Sequence, residues 1–145
     1  MLAVICDDRA ADREILLGFC ARYAKEKHLP IATLEFENAG ALLNSREARS
    51  ADVMFLDIYM DGALGVDAAR ILRGKGYRGA LVFITTSTEH YADGFDVEAA
   101  HYLLKPVSWD AFCEAMRRVQ NRMQITTRRV RVIVGRDGGH NFKCK

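Results

Sequence analysis

An open α/β fold on a parallel sheet is the class this sequence predicts, and three observations carry it. Short apolar runs alternate with segments of helical spacing through residues 1–124. The runs at 53–56 and 80–84 are apolar throughout, the pattern of parallel strands covered on both faces. Four runs end in polar residues suited to phosphate chemistry: Asp7 and Asp8, Asp57, Thr85 and Thr86, and Lys105. In an open α/β sheet ligands bind outside the carboxyl ends of the strands. These endings are therefore expected to share one edge.

Each element follows from its spacing. After a strand at 2–6, residues 10–26 place Ile15, Leu16, Phe19, Cys20 and Tyr23 on one helical face, with Asp7 or Asp8 as the expected cap. His28, Leu29 and Pro30 end that helix. Residues 31–36 alternate as a strand near the sheet edge does, and 39–48 reads as a short helix. Beyond the strand at 53–56, Asp61, Gly62 and Gly65 mark a loop. A helix at 66–73 then closes on Gly74 and Gly76. Strand and helix recur at 80–84 and 89–95, then at 100–104 and 109–123. Five β-α units with right-handed crossovers need helices on both faces, and their number suits the flavodoxin-like (βα)5 order 2-1-3-4-5. From Arg128 to Val134 arginine and valine alternate, which reads as an amphipathic strand, followed by a turn through Gly135 to Gly139. The division is thus 1–124 for the main domain and 125–145 for a basic tail.

Half of the 145 residues are apolar, enough for one substantial core. No secretory leader and no bilayer-spanning run is read, so a cytoplasmic protein is expected. Four cysteines, at 6, 20, 113 and 144, lack C-x-x-C spacing, so zinc and thioredoxin-type chemistry have no basis here and buried, reduced thiols are expected. Residues 1–116 carry a net charge of −6 and 117–145 a net +8. Such a basic end suits a neighbouring polyanion such as DNA, and equally a solvated helix face.

The strand ends carry the chemistry. Asp7, Asp8 and Asp57 gathered within a few ångströms would repel one another, and a divalent cation relieves this. Magnesium prefers oxygen ligands and commonly takes one or two carboxylates with phosphate oxygens. Asp57 follows four apolar residues, so it is expected as a partly desolvated carboxylate open to phosphorylation. Thr86 can donate a hydroxyl hydrogen bond and Lys105 a positive charge to a phosphoryl group. Taken singly, each of these residues also fits an ordinary cap, loop or surface role; their joint spacing favours a site.

That combination resembles the receiver domains of bacterial two-component response regulators, over roughly residues 1–124. The resemblance implies Asp7 and Asp8 as the acidic metal pair, Asp57 as phosphoacceptor, Thr86 as switch hydroxyl and Tyr102 as switch aromatic. It further implies Lys105 followed by a typically cis Pro106, and the Tyr59 carbonyl as a further Mg2+ ligand. In that family a histidine kinase donates the phosphoryl group. The receiver is not a conventional enzyme: it catalyses its own phosphorylation and dephosphorylation with magnesium. The stretch 85–106 is similar to the subgroup that precedes a LytTR-type DNA-binding domain, and 125–145 resembles the start of such a domain. DNA contact is then expected only through an output domain mostly absent from these residues. Asp61 stands where many relatives have proline. The family pattern also implies a homodimer through the face of the helix at 89–95, with Glu89 and Phe95 at its ends, and Trp109; His90, Tyr91, Tyr102 and Trp109 fit packing roles equally well.

Rival chemistries fit less well. A haloacid-dehalogenase-type phosphatase needs a second aspartate two positions after the first, where Tyr59 stands. A flavin binder needs a first loop of small residues and backbone donors, and residues 6–12 present carboxylates instead. A receiver-like scaffold that takes no phosphoryl group would lack some of the matching residues, all of which are present.

Overall fold

The computed structural model describes residues 1–60, 62–86 and 94–136. Its main sheet is built from β1 (Leu2–Cys6), β2 (Ala32–Phe36), β3 (Val53–Asp57), β6 (Ala80–Thr85) and β7 (His101–Leu104). These five strands are parallel, in the order β2-β1-β3-β6-β7, which is the predicted 2-1-3-4-5 order once the strands of this sheet are counted in chain order. β3 and β6 are buried along their whole length, whereas β2 at the edge is mostly exposed. That contrast is why the central runs are apolar without interruption and the edge run alternates.

Alternation along the strands divides the core. Val4, Cys6, Met54, Leu56, Leu81 and Phe83 face one layer, which receives Leu42 of α2 (Ala39–Leu43), Val66, Ala69 and Leu72 of α3 (Gly65–Gly74), and Val97 of α4 (Gly94–Val97). Ala3, Ile5, Val53, Phe55, Val82, Ile84 and Leu103 face the other. There α1 (Ala10–Lys27) supplies Leu16, Cys20 and Tyr23, and α5 (Trp109–Arg136) supplies Phe112, Ala115, Met116 and Val119. Cys6 and Cys20 are buried as small hydrophobes, and Cys113 is part-buried.

Several expectations change. The helix read at 39–48 is α2 followed by a 3-10 turn at Glu47–Ser50; Asn38 caps α2 by accepting from the Ala41 N–H at 2.8 Å. Neither Asp7 nor Asp8 caps α1. Arg9 is the N-cap residue, without a side-chain cap bond, and Asp7 Oδ1 instead accepts the Arg9 N–H at 2.9 Å. The strand read at 128–134 is a continuation of α5 to Arg136. Extending an existing helix adds a hydrogen bond per residue without new nucleation, and no strand among the described residues pairs with this segment. Trp109, for which a dimer face and a packing role fit the sequence equally well, packs on α1: its ring lies 5.6 Å from that of Phe19, and the Arg22 guanidinium sits 4.0 Å above it. Residues 87–93, which hold most of the helix read at 89–95, lie outside the described residues, as do Asp61 and the last three residues of the turn read at 135–139, whose first two lie in α5.

A two-stranded antiparallel element, β4 (Tyr59–Met60) with β5 (Ala63–Leu64), follows the acceptor strand. Gly62 in its connection adopts φ 72°, a conformation that suits glycine. The return brings Gly65 against the end of β3: its N–H donates to the Ile58 carbonyl at 2.7 Å, and a Cβ there would collide with the Asp57 carbonyl oxygen. Gly65→Ala is therefore expected to destabilise the fold by about 1–3 kcal/mol, as backbone overpacking does, and to displace Asp57. Chemical denaturation checks the first and phosphoryl acceptance the second.

Candidate functional site

The register of the sheet assembles the site. Cys6 pairs with Leu56, so Asp7 and Asp57 emerge side by side. Asp57 pairs with Ile84 and Ile84 with Leu103, so Thr86 and Lys105 each follow by two residues. Side chains two apart on a strand share a face. Ile5, Phe55, Ile84 and Leu103 all face α1 and α5, and Asp7, Asp57, Thr86 and Lys105 continue that parity. β7 is tied in at its end by the Lys105 N–H, which donates to the Thr85 carbonyl at 2.8 Å, and the Lys105-Pro106 peptide is cis.

Lys105 Nζ lies 2.9 Å from Asp7 Oδ2, 2.9 Å from Asp12 Oδ2 and 3.3 Å from Asp57 Oδ2. Asp7 and Asp57 are buried, and Asp8 is exposed beside them. Oxygens of Asp7, Asp8 and Asp57 all lie within 4.8 Å of one another. An all-oxygen donor set suits a hard cation such as Mg2+ and does not suit zinc or copper. Asp7 Oδ2 is buried without a well-formed hydrogen bond, its close contact being the ion pair to Lys105. The residues present therefore fit a magnesium ion.

Electrostatics follow from burial and crowding. Burial, and then the Asp7 charge, push the Asp57 carboxyl up to about 6, against the opposing pull of Lys105 and of the Tyr59 N–H. That N–H donates to Asp57 Oδ1 at 3.3 Å. Burial alone would lower the Lys105 ammonium, yet the hydrogen bond to Asp12, the close ion pair with Asp7 and the charge of Asp57 raise it above the ordinary lysine range. At neutral pH the site thus holds an ionised carboxylate against a firmly charged ammonium. Burial and the Asp7 charge also push the Cys6 thiol up to about 12, which leaves it an inert neighbour in contact with Met60 Sδ at 3.4 Å.

Of the residues named from sequence, Asp7, Asp8, Asp57 and Lys105 come together. Thr86 is the first residue beyond β6 and is exposed. Tyr59 is 37% exposed beside the site. Tyr102 is half-buried on the opposite layer, its ring 5.5 Å from that of Phe83. Asp12 joins the site although sequence reasoning does not single it out. Its only sequence signal is a carboxylate in the first turn of a helix, a common N-terminal preference.

Comparison with known proteins bears on the family and the fold. The family model described as response regulator receiver domain matches residues 3–117. Sensory transduction protein LytT of Oceanobacillus iheyensis is 36% identical over 97 residues, covering 66% of this chain and 39% of that protein. The positive alginate biosynthesis regulatory protein of Pseudomonas aeruginosa is 30% identical over 127 residues, covering 86% of this chain and 50% of that one. The chain thus spans half or less of the length of these curated relatives. The response regulatory domain of MrkE from Klebsiella pneumoniae superimposes with a TM-score of 0.73 at 22% identity, covering 86% of this chain and 98% of that one. The response regulator TrrA of Thermotoga maritima, solved in complex with Mg2+ and BeF, has a TM-score of 0.66 at 20% identity, over 81% of this chain and 97% of that one.

Proposed function

This chain belongs to the response regulator receiver family, and from that premise we propose that Asp57 accepts a phosphoryl group from a sensor histidine kinase in a magnesium-dependent step. The observation that carries this reading is the convergence of Lys105 Nζ on Asp57 Oδ2 at 3.3 Å with Asp7 and Asp8 oxygens beside the same carboxylate.

Asp57, ionised above about pH 6, attacks phosphorus; the new O–P bond forms as the P–N bond of phosphohistidine breaks, its electron pair leaving with the imidazole. Lys105 meets the charge on the phosphoryl oxygens, where a fixed cation in a water-poor site is most effective. Asp7, Asp8, Asp57 and the Tyr59 carbonyl are the proposed holders of Mg2+, which when bound neutralises phosphoryl charge and orients the group. Thr86 donates its hydroxyl to the phosphoryl group, and Tyr102 moves into the space so vacated, biasing a two-state switch. TrrA, solved with a phosphoryl-like fluoride and magnesium, supports the same chemistry here.

Residues 125–145, the first twelve of which continue α5, are read as resembling the start of a LytTR-type output domain, the part of such regulators that contacts DNA in the cytoplasm; likeness to LytT and the basic charge of 117–145 support this. Dimerisation through the face formed by α4, β7 and α5 is part of the same reading. No helix among the described residues is long and apolar enough to cross a membrane.

Incubation with acetyl phosphate and Mg2+ tests the assignment: intact-mass spectra should show one added phosphoryl group in the wild type and none in Asp57→Asn. An unmodified wild type would reject it. The half-exposed Tyr59 ring beside the acceptor is expected to shield the acyl phosphate from water. Tyr59→Ala should then shorten its half-life by roughly threefold, a modest water-exclusion effect; a phosphate-release assay giving an unchanged or longer half-life would reject the shielding.

A further inference from the structure

A lysine ammonium has three N–H donors, and on Lys105 three carboxylates face them. Asp7 Oδ2 and Asp12 Oδ2 stand at 2.9 Å and Asp57 Oδ2 at 3.3 Å. Asp12 and Asp57 accept hydrogen bonds from the ammonium and Asp7 holds it as an ion pair, and it sits closer to the acid on α1 than to the acceptor. Asp12 stands apart from the three-carboxylate group of Asp7, Asp8 and Asp57, so a metal ion there leaves its claim on Lys105 intact. Its side chain is 26% exposed, against 0% for Asp7 and 5% for Asp57. Of the three, Asp12 is the partner that water can most readily replace, because an exposed carboxylate recovers hydration that buried ones do not.

To meet a phosphoryl oxygen added on Asp57, the ammonium has to shift from the α1 side, where Asp12 holds it at 2.9 Å. Taking the proposed phosphorylation of Asp57 as its basis, we propose that Asp12 is a positioning residue that holds the Lys105 ammonium on the α1 side of the site, and that release of this bond accompanies phosphoryl acceptance. Asp12 therefore restrains the rate at which the unmodified protein takes up phosphoryl groups. When Lys105 swings to the phosphoryl oxygen, Asp12 turns to water and to Arg9, whose Nε already lies 3.6 Å away.

Acetyl phosphate and Mg2+ are the probe, with phosphorylation followed by intact mass. Asp12→Asn keeps the shape of the side chain but weakens its hold on the ammonium, and should raise the acceptance rate about fivefold, the net scale of one ordinary hydrogen bond. Asp12→Glu should return the rate toward wild type. In a Lys105→Met background the same Asn substitution should have no effect, since its influence runs through the lysine. The 15N-labelled Lys105 ammonium signal of the unmodified protein should shift in Asp12→Asn without any phosphodonor present. An unchanged or slower Asp12→Asn rate, an equal gain in both backgrounds, or an ammonium signal that stays in place would overturn the role of Asp12. A wild type that is not phosphorylated would instead remove the reading on which it rests, so the two failures are distinct.

Discussion

Asp57→Asn is expected to abolish phosphoryl acceptance and, in metal-free buffer at pH 7, to make the protein more stable. The carboxyl is pushed up to about 6 by burial and then by the Asp7 charge, so the folded state holds its proton more tightly than the unfolded chain does. A carboxyl raised in this way weakens folding as pH rises from about 4 through 6, and the full cost is present above that range. Every tenfold difference in proton affinity between the folded and unfolded states corresponds to about 1.4 kcal/mol; with allowance for solvent screening, a gain of about 2 kcal/mol is expected for the amide at pH 7. Below pH 4 the two proteins should be equally stable with respect to this group. Urea denaturation at several pH values checks both limits. Magnesium should erase much of the difference, because a ligand that binds only the folded state stabilises it by mass action. The acceptor carboxylate would then be a site held against its own stability, as functional groups often are.

Lys105→Met should act in the opposite direction. It leaves Asp7 and Asp57, exposed by only 0% and 5% at their side chains, without the cation they share. Removing one member of a buried charge cluster typically costs about 3 kcal/mol, and the same denaturation assay reads it. Lys105 also lowers the Asp57 carboxyl through its charge and hydrogen bond. Its loss should push that group above its present value and leave the nucleophile partly protonated near neutral pH. Together with the lost charge at the phosphoryl oxygens, a fall of about a hundredfold in the acetyl phosphate rate is expected, the scale for one stabilising donor. A variant as stable and as fast as the wild type would remove Lys105 from the chemistry.

Much of this arrangement is legible in the sequence because a parallel sheet converts strand endings into neighbours. Asp7, Asp57 and Lys105 each close an apolar run, and register then leaves little freedom in where they emerge. Asp12 is hidden for the opposite reason: it comes from a helix, and only tertiary packing decides which strand end its turn overlooks. The β4–β5 hairpin does carry a signal, Asp61-Gly62 between Met60 and Ala63, a dipeptide typical of two-residue turns. Each of its strands is only two residues long, too short for alternation to distinguish it from a loop. Arg128 to Val134 alternates like a strand, yet β propensity expresses packing on a neighbouring strand. No described strand pairs with it, and the α5 helix runs on to Arg136. For Trp109 the sequence leaves a dimer face and a packing role equally open, and only the helix α1 beside it shows the packing.

The most direct measurement is a crystal structure of the protein grown with magnesium and beryllofluoride. The expected result is a fluoride-bearing group on Asp57, Lys105 Nζ within hydrogen-bond distance of it, and oxygens of Asp7 and Asp8 at the metal or on its bound waters. Beryllofluoride bound at another residue, or a Lys105 side chain turned away from it, would contradict the proposed chemistry.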